Sequence, residues 1–343
     1  MIRQYIERVV AGIDLTAAET EVAMAAIMDG EATPAQVSAF LVGLRMKGET
    51  AEELLGAARA MRSRVAAVEA PPGPVLDTCG TGGDGAHTFN ISTAAAIVAA
   101  ACGVKVAKHG NRSVSSRCGS ADVLEALGVN LALPPDILSK ALSEIGIAFL
   151  FAPNLHPAMR HAAGPRREIG IRTVFNLLGP LTNPAGATHQ LVGVYDQSRV
   201  GQVAETLGSL GARRALVVHG DPGLDEISIC GPTLVAQWDE AGLRTYTVTP
   251  EELGIQPAPV DALRGGDAAH NAALLRGVLT GEPGPLRDAV LVNAGAALVA
   301  AGAAEDVREG VALAAQAVDS GRAMATLEAL VEFTQKHGER QAV

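Results

Sequence analysis

The residues best suited to chemistry begin at Leu76, in the run LDTCGTGGDGAHTFNIST. Gly80, Gly82, Gly83 and Gly85 fall directly after a strand pattern and before helical sequence that opens near Ser92. Glycines at such a junction let backbone amides approach an anion closely, and the helix N-terminus adds unpaired N–H groups and a favourable dipole. A turn that merely tightens a strand-to-helix connection needs one or two glycines. Four of them among polar neighbours point to anion binding.

Two common nucleotide motifs fail on this loop. Gly80, Gly82 and Gly85 have the GxGxxG spacing, but that motif needs an acidic ribose partner roughly 20 residues further on. No carboxylate occurs between Asp84 and Asp122, and the Lys105 region stands where the acid should be. A phosphate-binding GxxxxGK[ST] loop needs a lysine after its last glycine, whereas Gly85 is followed by Ala86 and His87. The same acid-free window continues through KVAKHGNRSVSSRCGS, where Lys105, Lys108, Arg112 and Arg117 cluster with hydroxyl residues. A charge cluster alone is ordinarily a solvated surface; beside the glycine loop it becomes a second wall for a polyanion. Lys108, at a strand end, is the expected ligand contact and Lys105 a solvated strand residue, while Arg117 is either a lesser substrate contact or a partner for Asp122.

These residues need elements to hold them. From Met1 to about Val68 apolar residues recur at helical spacing, with Thr16, Thr33 and Thr50 as caps and no strand signal. PPGPV, at Pro71 to Val75, breaks helix and puts a boundary near residue 70. Beyond it strand patterns at Val75–Asp77, Val104–Ala107 and Ala215–Val218 alternate with helical stretches, which predicts a central, mainly parallel sheet. The stretch from about Ala158 to Leu178 is helical and can return to the N-terminal helices before the sheet resumes near Gln190. Residues from Ala303 to about Lys336 read as two helices. The expected fold is therefore a small all-helical N-terminal domain, 1–70 joined by about 158–178, plus a larger α/β domain, 71–343.

Composition narrows the function classes. A chain of 343 residues, 48% hydrophobic, with 27 basic against 37 acidic side chains and a formal charge of -10, is a packed acidic protein. That balance opposes general nucleic-acid or anionic-membrane binding. The four cysteines, Cys79, Cys102, Cys118 and Cys230, form no CxxC pair, so neither a disulfide framework nor a zinc cluster is expected and a reducing cytoplasm fits. The longest apolar stretch, Thr93 to Val104, is too short for a bilayer of about 30 Å.

GTGGD, NIST and KHGNRSVSS, in this order and spacing, resemble the anthranilate phosphoribosyltransferases. The resemblance runs along essentially the whole chain, through HPAMRH, GPRREIGIRTVFNLLGPLTNP and VVHGDPGLDEIS. It implies a helical domain and an α/β domain with the substrate cleft between them, a homodimer, and transfer of a phosphoribosyl group from 5-phosphoribosyl-1-pyrophosphate to anthranilate. By that resemblance Gly80, Gly83, Asp84, Thr88, Asn90, Ile91, Ser92 and Thr93 hold the donor. Lys108, His109, Gly110, Asn111, Arg112, Ser113, Val114, Ser115, Ser116 and Ser120 complete its cradle. Asp225 and Glu226, with Ser92, resemble magnesium ligands, a hard-oxygen set suited to that ion. Without the resemblance, adjacent acids at a loop-to-strand junction are ordinarily solvated. Asp221-Pro222 departs from the less constrained loop expected before GLDE.

Arg166, with Asn111 and the Gly80 backbone, is implied to meet the anthranilate carboxylate, for which a guanidinium fork is apt. Lys108 is expected to stabilise departing charge and His109 to accept the amine proton late. Two rivals remain: a pyrimidine nucleoside phosphorylase, opposed by chain length and the DTCGTGGDG loop, and a nucleic-acid-binding relative, opposed by the acidic balance.

Overall fold

The computed structural model describes residues 2–113 and 117–339. Four helices open the chain: α1 (Arg3–Val10), α2 (Ala17–Met28), α3 (Pro34–Lys47) and α4 (Ala51–Arg62). Thr16, Thr33 and Thr50 cap the last three, each in a reciprocal box with Glu19, Gln36 or Glu53. Each such cap is worth roughly 1 kcal/mol, because it satisfies amides that the helix leaves unpaired. Glu53 is fully buried yet satisfied, accepting from the Leu15 amide and pairing with Lys47 at 2.9 Å.

After the proline break come β1 (Val75–Gly80), α5 (Ile91–Ala101), β2 (Lys105–Gly110), α6 (Ser120–Ala126), α7 (Pro135–Glu144) and β3 (Ile147–Phe151). A helical excursion follows: α8 (Ala152–Leu155), α9 (Arg160–Ile169) and α10 (Phe175–Leu178). The sheet then resumes with β4 (His189–Gly193), α11 (Val200–Ser209), β5 (Arg214–Gly220), β6 (Thr233–Asp239) and β7 (Gly242–Val248). The chain closes with α12 (Ala268–Leu279), α13 (Pro285–Ala301), α14 (Val307–Asp319) and α15 (Arg322–Glu339).

The seven strands form one sheet in the order β3-β2-β1-β4-β5-β6-β7. β3 through β5 are parallel, and β6 and β7 add an antiparallel hairpin at one edge. Alternate residues face opposite layers, as the pleat demands. Leu191, Leu216 and Val218 pack into the core shared with α5 and α13, while Val192, Ala215 and Val217 pack with α11 and with α1 to α4, α9 and α10. Strand order reverses between β1 and β4, so the crevice at their carboxyl ends is where an open α/β sheet binds ligands.

The structure extends the expected strands. β2 runs to Gly110, so Lys108, His109 and Gly110 lie on a strand rather than in a loop. β3 and the β6–β7 hairpin had no separate expectation. Their sequences, IAFLF and TLVAQWD followed by GLRTYTV, are too short for period alone to separate strand from buried helix.

Candidate active site

At the switch point the last residues of β1 and β4, Gly80 and Gly193, pair with each other. Both are bare for a reason that lies in the next layer. A Cβ on Gly193 would stand 1.5 Å from the Asp225 carbonyl oxygen, and one on Gly80 would stand 2.3 Å from Asp225 Oδ2. The glycine pair therefore forms a seat on which the 225–226 segment rests directly on the strand ends.

From that seat the acid pair reaches both halves of the predicted anion loop. Asp225 Oδ2 accepts from the Gly82 amide at 2.7 Å, and Glu226 Oε1 accepts from the Ser92 amide at 3.1 Å, in the first turn of α5. The glycine loop turns back through positive φ at Gly82, Gly83 and Gly85. Asp84 Oδ1 accepts from the Ala86 amide at 3.2 Å. Burial and the neighbouring Asp84 push the Asp225 carboxyl up to about 6. Burial and Asp225 push Glu226 well above the usual carboxylate range. Buried carboxylates raised by burial and by their acidic neighbours form a site short of positive charge.

Among the described residues no three His, Cys, Asp or Glu side chains converge to encircle an ion. Two carboxylates with the Ser92 hydroxyl nearby nevertheless suit magnesium, which commonly takes one or two carboxylates, retains waters and shares substrate phosphates. A zinc-like closed cage does not fit this donor set.

Lys108 supplies the nearest cation. Its ammonium is buried, donating to the Thr78 carbonyl and standing 3.5 Å from Ser92 Oγ. Burial pushes it down, and Asp77 opposes that shift. Asp77 is itself fully buried, accepting from the His109 amide at 3.0 Å and from Asn183 Nδ2 at 2.8 Å. It fills the place where β1 and β2 splay beyond Leu76 and Val106, the gap through which Lys108 reaches Thr78. Lys108 thus stands beneath the N-terminus of α5 rather than as an exposed strand-end cation.

Asn90 ties the remaining walls together. Its Oδ1 accepts from Asn271 Nδ2 at 2.9 Å, and its Nδ2 donates to the Cys118 carbonyl at 3.2 Å. Thr88 sits in a bridge with Arg264. Ile91 and Thr93 are buried, and Thr93 Oγ1 is without a partner among the described residues. Asn111 Oδ1 accepts from the Arg112 amide at 2.7 Å, and Ser120 Oγ donates to the Asn111 carbonyl at 3.2 Å. Val114, Ser115 and Ser116 lie outside the described residues.

One alternative in the basic window is decided. Asp122 pairs with Arg112 at 2.9 Å, not with Arg117, and also accepts from the Ser113 and Gly119 amides. Glu125 takes the rest of the Arg112 fork at 2.8 and 3.0 Å, so that guanidinium already has its anions.

His109 is likewise committed. Its Nδ1 lies 3.1 Å from the Gly179 carbonyl, and its Nε2 lies 3.1 Å from His156 Nε2. A carbonyl can only accept, so Nδ1 carries the hydrogen, and the Nε2 lone pair then accepts from His156 Nε2–H. Burial pushes His109 down to about 3 and His156 to about 4, so both rings are neutral near pH 7. The lone pair required of a late proton acceptor is already occupied by His156.

Arg166 lies on α9 with its guanidinium 4.8 Å from the Phe175 ring centre. Burial pushes it down, and among the described residues no carboxylate pairs with it. Arg172, not singled out in the sequence, donates to the Gly83 carbonyl and stacks 4.0 Å from the Tyr195 ring centre. Asp221-Pro222 is a cis bond in the turn before the acid pair. Gly193, Asp77, His156, Asn183 and Asn271 also escaped notice. Asp77 stands inside the run quoted for the glycine loop, and His156 and Asn183 inside those quoted for the resemblance, whereas Gly193 is a lone glycine in an apolar strand pattern.

Comparison with known proteins agrees with this architecture. The glycosyl transferase family's helical bundle domain matches residues 3–65, and its a/b domain matches residues 72–324. An anthranilate phosphoribosyltransferase of Moorella thermoacetica is 58% identical over 98% of this chain and 99% of its own length. A solved anthranilate phosphoribosyltransferase from Thermus thermophilus superposes with a TM-score of 0.92 at 48% identity, covering 96% of this chain and 99% of that one. The Saccharomyces cerevisiae enzyme in complex with PRPP and Mg superposes at 0.89 with 28% identity, over 98% of both chains. The chain belongs to this glycosyl transferase family and, within it, to the anthranilate phosphoribosyltransferases. No helix among the described residues is long and apolar enough to cross a membrane.

Proposed function

We propose that this chain transfers the phosphoribosyl group of 5-phosphoribosyl-1-pyrophosphate to the amine of anthranilate, releasing pyrophosphate in tryptophan biosynthesis in the cytoplasm. One observation carries the reading: a glycine loop, a helix N-terminus, a buried lysine and an acid pair converge at the sheet's switch point. Gly80, Gly83, Asp84, Thr88, Asn90 to Thr93, Lys108 to Ser113 and Ser120 surround the donor, with Val114 to Ser116 completing that run in sequence. Arg112 and His109 serve there by shaping the walls, since their polar groups are already paired.

Anthranilate's amine is neutral near pH 7 and attacks C1 without prior deprotonation. Loss of pyrophosphate is the harder event, with positive charge growing on the ribose and negative charge on the leaving group. The C1–oxygen bond breaks with its electron pair going to pyrophosphate, and the C1–nitrogen bond forms on the opposite face. Loop amides, the N-terminus of α5 and the charge of Lys108 are fixed in place before that charge appears, which is the condition for electrostatic catalysis. Magnesium held by Asp225, Glu226 and Ser92 supplies further positive charge to the pyrophosphate oxygens. Arg166, which no carboxylate engages among the described residues, takes the anthranilate carboxylate, with Asn111 and the Gly80 backbone beside it. With His109 Nε2 occupied, the amine proton leaves to solvent or to product phosphate.

Residues 1–70 with about 158–178 form the helical unit of this reading, and 71–343 the α/β unit. Val10, Ile13 and Met46, at 69, 50 and 83% exposure on the helical layer, favour a homodimer through that face. Pyrophosphate release tests the reaction: it should require both substrates together. Phosphorolysis of thymidine or uridine without such release would favour the phosphorylase reading instead.

A further inference from the structure

The 225–226 segment lies in the connection between β5 and β6, outside any strand, yet it must hold two carboxylates in register with Gly82 and Ser92. Gly80 and Gly193 seat it against the strand ends. A further support comes from α13, whose run VLVNAGAALVAA is apolar apart from Asn293. That side chain is 0% exposed and takes both backbone groups of Ile227: Oδ1 accepts from its amide at 2.9 Å and Nδ2 donates to its carbonyl at 2.9 Å. Nδ2 also donates to the Ala289 carbonyl of its own helix at 2.9 Å, which fixes the amide's orientation. Ile227 directly follows Glu226.

We infer that Asn293 is a positioning residue for the acid pair, acting as a one-residue strand partner that clamps Ile227 and so aims Asp225 and Glu226. The inference rests on the reading of those acids as the magnesium site. An asparagine side chain offers the donor and acceptor that a neighbouring strand would have offered, at a point where the sheet has ended. Because α13 is buried along almost its full length and packs against β1, β4 and β5, the clamp is anchored in the core of the domain. Removing it leaves the Ile227 amide and carbonyl without these partners in a dry core, and the segment relaxes to recover bonds elsewhere. Loss of an outer partner of metal ligands typically weakens metal binding by about 10–100-fold.

The test is calorimetric titration of inorganic pyrophosphate into the protein, with magnesium and with EDTA. The ratio of the two affinities isolates the acid pair from the glycine cradle. Wild type should bind more tightly with magnesium, and Asn293→Ala should lose about 10–100-fold of that gain while its EDTA affinity changes little. Leu298→Ala, a cavity variant at a fully buried position of the same helix, controls for general loosening and should keep the gain. Asn293→Asp has the same size, keeps the bond from the Ile227 amide and loses the one to its carbonyl; it should show an intermediate loss and carries the test if the alanine variant does not fold. An undiminished magnesium gain in the Asn293 variants, or an equal loss in Leu298→Ala, overturns the inference. Absence of any magnesium gain in wild type overturns instead the reading of Asp225 and Glu226 on which it stands.

Discussion

Replacing Gly193 by alanine adds one methyl group, and the structure says where it goes. The new Cβ would lie 1.5 Å from the Asp225 carbonyl oxygen, 2.2 Å from its carbon and 3.0 Å from its Cα, all backbone atoms that cannot rotate away. Ordinary contact starts at 3.4 Å, so the 225–226 segment must retreat by about 2 Å. Overpacking of this kind costs roughly 1–3 kcal/mol of stability. The functional loss should be larger, because a displacement of about 1 Å at a positioned group can cost about 10²-fold in rate. We expect kcat/KM to fall by at least about 100-fold, with a higher magnesium requirement and a modest drop in Tm. Steady-state kinetics over a magnesium series, paired with thermal unfolding, measures all three. A folded Gly193→Ala protein with wild-type kcat/KM and magnesium dependence would refute the seat as drawn.

Other outcomes follow from the same geometry. Lys108→Ala should lower turnover by about 10²–10³-fold, the usual effect of removing one preorganised donor; equal activity with unchanged donor affinity would show that its charge is not used. Arg166→Ala should chiefly raise the anthranilate KM, by about 10–100-fold for a lost charged hydrogen bond of about 1.5–3 kcal/mol, and a selective loss of donor binding would reassign it to the other substrate. His156 is held at about 4 in the fold against an ordinary 6.5. The unfolded chain therefore takes up the proton first as pH falls, and stability present above 6.5 is lost toward 4 at about 1.4 kcal/mol per pH unit. His156→Gln should flatten the stability–pH slope over that window by this amount in denaturant melts, and an unchanged slope would mean the ring is not held neutral. Nitrogen-15 shifts should place the His109 hydrogen on Nδ1; an Nε2–H ring would contradict the pair's polarity.

Local signals carried much of this fold. Thr16, Thr33 and Thr50 announce three helices because capping is decided within four residues. The glycine loop was visible because positive φ, adopted at Gly82, Gly83 and Gly85, favours glycine whatever surrounds it. Long-range partners were not visible. Arg112 and Arg117 are equivalent cations in sequence, and only the approach of α6 to the end of β2 gives Asp122 and Glu125 to Arg112. Gly193 and Asn293 resemble an ordinary strand glycine and a stray polar residue in an apolar helix. Their meaning depends on a segment distant from both in sequence, which folds onto the strand ends between them. The polarity of His109 depends on a second histidine 47 residues on, whose Nε2 meets its own.

The most direct measurement is the loss of anthranilate fluorescence when purified protein is mixed with anthranilate and 5-phosphoribosyl-1-pyrophosphate, with magnesium and with EDTA. The account predicts a decrease that requires the donor and the metal and that yields N-(5-phosphoribosyl)anthranilate. A folded protein that leaves the fluorescence unchanged under both conditions would contradict it.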